Sequence, residues 1–174
     1  FEGDSRTVLK DAVQKAAQMG LTCRIGSECE FYLFRTDENG DPILVPHDHA
    51  GYCDVAPLDR GENVRREICL ALEQMGILPE SSHHEHGPGQ NEIDFRYSDA
   101  LTAADDLINF KVAVKAIAAR NGLYASFLPK PLAGKSGSGL HVNLSLAKNG
   151  LNIFKNDIAE HSQEAESFIA GILN

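Results

Sequence analysis

No apolar run in this chain approaches the ~18 residues that a membrane-spanning helix needs, and no basic, apolar leader opens it. Neither a membrane span nor a secretory signal is therefore expected. Positive charge is also scarce. Sixteen Lys and Arg stand against 25 Asp and Glu, a formal net charge of −9, and they form no cluster. That balance argues against a nucleic-acid face. The four cysteines, Cys23, Cys29, Cys53 and Cys69, make no CxxC pair. They read as small apolar filler in a reducing compartment rather than as a disulfide framework. No internal repeat and no low-complexity stretch appears. A cytoplasmic enzyme or binding domain is the expectation.

What is present is ordinary for a globular domain: 174 residues, 43% hydrophobic and 24% charged, enough for one sizeable core. The chain opens at Phe1 rather than Met. It closes at Asn174 inside an apolar helical pattern of Ala165, Phe168, Ile169 and Ile172. It is expected to be a piece of something larger.

Helical stripes and strand alternations interleave along the chain. Asp4-Ser5 precede a helical stripe from Val8 to Met19 that Gly20 ends. Residues 22–34 alternate, with Cys23, Ile25, Cys29, Phe31 and Leu33 on one face and Arg24, Glu28, Glu30 and Tyr32 on the other. A turn signal at 38–42 leads to a short strand at Ile43-Leu44-Val45. After a loop at 47–59 comes a helix with the stripe Val64, Ile68, Leu72 and Met75. Residues 91–97 alternate again, Glu92, Asp94 and Arg96 against Ile93, Phe95 and Tyr97. Ser98 is placed to cap a long helix bearing Ala103, Leu107, Phe110, Val114 and Ile117, ended by Asn121-Gly122. Residues 140–146 form the cleanest strand, Leu140, Val142, Leu144 and Leu146 against His141, Asn143 and Ser145. The lack of a regular strand–helix–strand rhythm predicts an α+β fold. Its sheet should be mostly antiparallel, with helices on one face and a polar face opposite.

That polar face carries the chemistry. Glu28 and Glu30, two apart on a strand, stand ~7 Å apart on one side, where like charges repel unless a cation lies between them. Alone, such a pair is most often a solvated face, and the tract His83-His84-Glu85-His86 is most often polar surface. Together with Glu92 and with His141, Asn143 and Ser145 they make four segments, each presenting ligand-type groups. Carboxylates outnumber imidazoles and no thiolate is available, so the implied ion is hard, Mg²⁺ or Mn²⁺, and more than one is plausible. Paired divalent ions suit phosphoryl transfer. Gly134-Lys135-Ser136 does not complete a P-loop, because Pro129 stands where the leading glycine belongs. No HExxH and no nucleophile elbow occurs.

Three segments, GSECEFYLF, SSHHEHGPGQNEIDFRY and KPLAGKSGSGLHVNLSL, resemble in order and spacing three signatures of the glutamine synthetase catalytic domain. The opening Glu2-Gly3-Asp4-Ser5-Arg6 resembles the start of that domain. The resemblance covers nearly the whole chain. It implies that Glu30, Glu85 and Glu92 hold one ion on the side of the substrate glutamate. Glu28 and His141 would hold a second ion on the side of ATP. It implies nucleotide contacts at Glu80, Tyr97, Asn143 and Ser145, and glutamate contacts at Ser136 and Gly137. No general base within the chain is implied.

Two departures stand out. Ser136 replaces a common Asn, and Asn143 replaces a second His, which removes a potential cation from the nucleotide side. Residues 1–174 would be the N-terminal part of the catalytic domain, with a β-grasp domain and the rest of the catalytic domain outside them. The implied activity is ATP- and Mg/Mn-dependent ligation of ammonia to glutamate through γ-glutamyl phosphate, in a cytoplasmic ring of identical subunits. Three alternatives stay open at this point: ligation of another amine, a non-catalytic nucleotide- or metal-binding relative, and a single-metal β-barrel oxygenase.

Overall fold

The computed structural model describes residues 1, 3–155 and 161–174; Glu2, in the opening segment, lies outside them. The elements are α1 (Ser5–Gln18), β1 (Leu21–Thr36), β2 (Pro42–Pro46), α2 (Glu62–Gln74), β3 (Pro79–His84), β4 (Gln90–Phe95), β5 (Ser98–Asp99), α3 (Ala100–Arg120), β6 (Leu123–Ser126), β7 (Leu140–Lys148), β8 (Leu151–Asn152) and α4 (Gln163–Leu173). The fold is α+β, and the strand ladders are antiparallel. Among the described residues no helix is long and apolar enough to cross a membrane.

Chain contacts divide the described residues into two units. One comprises Phe1–Gly26, Tyr97–Ala104 and Asn143–Asn174, the other Ser27–Arg96 and Asp105–Val142. In the first, Asp4 caps α1 by accepting the Thr7 N–H at 2.9 Å. The cap of α3 is Asp99, which accepts the Thr102 N–H at 3.1 Å. Ser98 pairs instead with Ile25 in the β5–β1 ladder. The predicted Ser98 cap is thus off by one residue: both Ser98 and Asp99 pair with β1, and Asp99 is the residue next to the first turn of α3, where its carboxylate reaches Thr102. Ser162 caps α4 through the Ala165 N–H at 3.1 Å. Of the apolar stripe predicted there, Ala165 is buried while Ile169 and Ile172 are exposed.

The second unit holds the core. Phe31 and Leu33 of β1, Ile93 and Phe95 of β4, Val64, Ile68 and Leu72 of α2, and Phe110, Val114 and Ile117 of α3 form one apolar cluster. Burying each such side chain stabilises by roughly 1.5–3 kcal/mol. Phe110 is the keystone, meeting Phe31 edge-on at 6.0 Å and Phe95 at 4.8 Å. The strand β6, which carries no clear alternation, pairs with β1 at Leu33↔Ala125 and adds Leu123 and Ala125 to the core. Three expectations are corrected. Met75 is exposed beyond the end of α2, and Leu140 and Val142 of β7 are 45% and 55% exposed rather than core. Tyr97 falls beyond β4 and is exposed.

Candidate metal centre

Strand register builds the site. In the β3–β4–β1 ladder, His83 lies opposite Glu92 and Glu92 opposite Glu30; Ser81 lies opposite Asp94 and Asp94 opposite Glu28; Gln90 lies opposite Tyr32. Residues directly opposed share a face. One face of three strands therefore presents Glu28, Glu30, Glu92, Asp94 and His83. Glu85, one residue past β3, turns back onto it, its N–H donating to the Gln90 carbonyl at 2.8 Å. His141 of β7 completes the group, its Nδ1 2.9 Å from Glu28 Oε2.

Two triads emerge, each with ligating atoms within 4.8 Å of one another: Glu28, Glu92 and His141, and His83, Glu85 and Glu92. The five predicted metal-side residues converge on one face, but their grouping differs from the implied one. Glu92 belongs to both triads, and His83 joins the second, 3.4 Å from Glu85 and 3.5 Å from Glu92. Glu30 stands in neither triad. Its Oε2 accepts the Gln90 carboxamide at 2.5 Å, and its N–H donates to the Gly139 carbonyl at 3.0 Å. A Cβ at Gly139 would come within 2.8 Å of the Glu30 carboxylate, so only glycine lets the loop approach so closely.

The electrostatics are strained in the direction a cation relieves. Burial, a hydrogen bond shared with Glu85, and the charges of Asp94, Glu85 and Glu30 together push the Glu92 carboxyl up to about 8. Asp94 keeps one buried carboxylate oxygen with no hydrogen-bond partner among the described residues. Oxygen donors with a minority of imidazole are the set that Mg²⁺ or Mn²⁺ takes. The residues fit a divalent ion.

His84 is built for something else. One residue along from His83, it points to the opposite face, where it is fully buried against Asp48, Nε2 to Oδ1 at 2.8 Å, with Nδ1 donating to the Glu85 carbonyl at 2.6 Å. Asp48 also accepts N–H bonds from Arg60 and Gly89, both at 3.0 Å. Burial opposes the Asp48 charge, yet these donors outweigh it and hold the carboxyl well below its ordinary range. Burial likewise opposes the His84 cation, and Asp48 overcomes it, raising the imidazole. Asp59 takes Arg65 at 2.6 Å, and Arg65 reaches Asn91 at 2.7 Å. Asp48, Asp59 and His84 also lie close enough to ligate an ion, but their partners are already protein groups. This is a structural network.

Of the predicted glutamate-side residues, Ser136 is exposed, and its carbonyl accepts the Tyr32 hydroxyl at 2.6 Å. The Gly137 carbonyl accepts Gln90 Nε2 at 2.9 Å. A cleft of about 630 Å³ lined by His49, His86, Pro88, Leu132 and Lys135 opens between this loop and the turn that carries Glu85. On the nucleotide side, Glu80 is exposed on β3. Tyr97, Asn143 and Ser145 belong to the first unit, where the Arg24 guanidinium lies 5.8 Å over the Tyr97 ring. Sequence reasoning put Tyr32 on the face of Glu28 and Glu30 and counted the His83–His86 tract among the ligand-bearing segments, but it gave His83 and Tyr32 no role in the site and missed Gln90. The signal was available in the two-residue period that links Gln90 to Glu92 and Tyr32 to Glu30.

A sequence-family model described as "Glutamine synthetase, catalytic domain" matches residues 2–174. A glutamine synthetase of Clostridium saccharobutylicum is 57% identical over 175 residues, covering 99% of this chain and 40% of that protein. Among solved structures, a chain described as "Apo GmaS without ligand" is 36% identical with a TM-score of 0.88, covering 99% of this chain and 42% of its own. A glutamine synthetase of Plasmodium falciparum is 30% identical with a TM-score of 0.84, covering 97% and 39%. The chain thus spans about two fifths of the length of the relatives it matches.

Proposed function

This chain belongs to the glutamine synthetase catalytic-domain family, and from that premise we propose that the protein containing it ligates ammonia to the γ-carboxylate of glutamate using ATP. The observation that carries the reading is the meeting of Glu28, Glu85, Glu92, His83 and His141 in two overlapping triads on one sheet face. A carboxylate is a poor electrophile. Transfer of the γ-phosphoryl group of ATP to it gives γ-glutamyl phosphate and ADP, and attack by ammonia on the acyl carbon then expels phosphate. Bound Mg²⁺ or Mn²⁺ would supply charge neutralisation for the phosphate oxygens. Glu30, Glu85 and Glu92, with His83 beside them, would hold the glutamate-side ion, and Glu28 and His141 the nucleotide-side ion. Ser136 and Gly137 would orient glutamate, while Glu80, Tyr97, Asn143 and Ser145 would contact the nucleotide.

Residues 1–174 are in this reading the first part of the catalytic domain of a longer cytoplasmic chain. A β-grasp domain and the remaining catalytic domain complete the chain, and identical subunits assemble into a ring. The test is glutamine formation by the full-length protein with Mn²⁺, combined with calorimetric titration of two variants. Glu30→Ala should weaken glutamate binding more than nucleotide binding, and Glu28→Ala the reverse. Equal losses for both ligands would show that the two carboxylates serve one ion.

A second reading keeps the glutamate and ATP chemistry but replaces ammonia with another amine. Ser136 and Asn143, which depart from the common family residues, favour it. Relative kcat/KM for ammonia and for small primary amines decides between them. Absence of any metal-dependent ATP turnover would support a non-catalytic relative instead.

A further inference from the structure

The polar face of β1 does not stay wet along its length. At one end Tyr32 and Gln90, a directly opposed pair, are both 0% exposed. Burying a phenol and a primary amide is costly unless each finds partners. Both do. Gln90 Oε1 accepts the Gly87 N–H at 2.8 Å, and Nε2 donates to Glu30 Oε2 at 2.5 Å and to the Gly137 carbonyl at 2.9 Å. Both donor hydrogens and the acceptor of the amide are used. A carboxylate and a carbonyl only accept, so the amide has one orientation. The Tyr32 hydroxyl donates to the Ser136 carbonyl at 2.6 Å, and its ring stacks on Phe34 at 5.8 Å. A Cβ at Gly87 would collide with that hydroxyl and with Gln90 Oε1.

Two successive loop carbonyls, of Ser136 and Gly137, are thus fastened from beneath by two buried side chains, one of which also grips Glu30. We infer that Gln90 and Tyr32 are positioning residues for glutamate. They hold the Ser136–Gly137 backbone and the Glu30 carboxylate as one rigid part, so that the amino-acid side of the site is set before ligand arrives. The inference rests on the functional reading above, in which that loop and Glu30 serve glutamate. It distinguishes the two substrates: neither residue touches a group assigned to the nucleotide.

The experiment is calorimetric titration of glutamate and of a non-hydrolysable ATP analogue into the full-length protein with Mn²⁺ present. Tyr32→Phe removes one hydroxyl and keeps the ring, so the fold is retained. Glutamate Kd should rise about five- to tenfold, the effect of one hydrogen bond, with the nucleotide Kd unchanged. Gln90→Met, which removes both donors at similar volume, should raise the glutamate Kd more than tenfold with the same selectivity. Equal weakening of both ligands, or unchanged glutamate affinity in Tyr32→Phe, overturns the inference while leaving the functional reading standing. If the unaltered protein binds no glutamate with Mn²⁺, the functional reading itself has failed and the inference falls with it.

Discussion

The two faces of the β3–β4–β1 ladder carry similar residues arranged to opposite ends. One gathers Glu28, Glu30, Glu85, Glu92, His83 and His141; the other gathers Asp48, Asp59, His84 and Arg65. On the second face, Asp48 and Asp59 meet N–H groups or the Arg65 guanidinium, and the charges are matched. On the first, carboxylates face carboxylates, and Glu92 is driven up to about 8 by burial and its acidic neighbours. Acidic residues and histidine do not by themselves mark a metal centre. The discriminating quantity is how far donors satisfy the acceptors. A saturated cluster stabilises the fold, and an unsaturated one leaves charge that a cation could neutralise.

The largest test breaks the saturated side. Arg65→Met leaves the Asp59 charge buried without its cation, a change that typically costs about 3–5 kcal/mol and lowers Tm accordingly. Thermal melting of the full-length protein measures it. Mn²⁺ affinity of the folded variant should be unaltered, and a loss of metal binding without loss of stability would reverse the comparison.

On the unsaturated side, Glu92→Gln removes the one carboxylate common to both triads. Binding of Mn²⁺, followed by electron paramagnetic resonance, should weaken about 100-fold, equivalent to ~2.7 kcal/mol. Metal-free stability should hold or rise, since a buried carboxyl that the fold holds above its ordinary range is replaced by an amide that needs no proton to stay neutral. Added Mn²⁺ at a hundred times its Kd should stabilise the unaltered protein by about 2.7 kcal/mol, and the variant should lose most of that rise in Tm.

A smaller effect sharpens the comparison through pH. The Asp48 carboxyl is depressed in the folded state, so its contribution is complete above the ordinary carboxylate value of ~4 and fades as pH falls below it. Asp48→Asn should therefore cost about 1–3 kcal/mol at neutral pH. The deficit should shrink below about pH 4, and chemical denaturation at a series of pH values reads it out. A deficit independent of pH would mean that the carboxylate charge contributes nothing.

Local periodicity made much of this legible. The alternation in β1 placed Glu28 and Glu30 on one side, and the stripes of α2 and α3 supplied Val64, Ile68, Phe110 and Val114 to the core. What local pattern could not reach was register. That Glu92 stands opposite Glu30 and Asp94 opposite Glu28 depends on pairing across some sixty residues of chain, which no window contains. His83 and His84 look alike in sequence, yet strand geometry sends them to opposite faces. Leu140 and Val142 carry the pattern of a buried strand and are exposed, because alternation reports which residues share a side and not what covers it. β6, four residues long, was too short for alternation to show.

The bond from Tyr32 to Ser136 joins residues 104 apart in sequence, and that span bears on how the chain is made. As a nascent chain emerges, β1 appears early, with Phe31 and Leu33 bare until α3 and β6 have followed. Loop closure over such distances is slow relative to local helix formation. The segment GSECEFYLF thus waits for later elements as an uncovered apolar strand, the species that chaperones capture and that aggregates recruit. Glu28 and Glu30 within it carry like charges that disfavour pairing of two such strands. In pulse-labelling hydrogen exchange, the amides of Glu30 and Leu33 should be among the last of the strand to gain protection, because their acceptors are the carbonyls of Gly139 and Gly89.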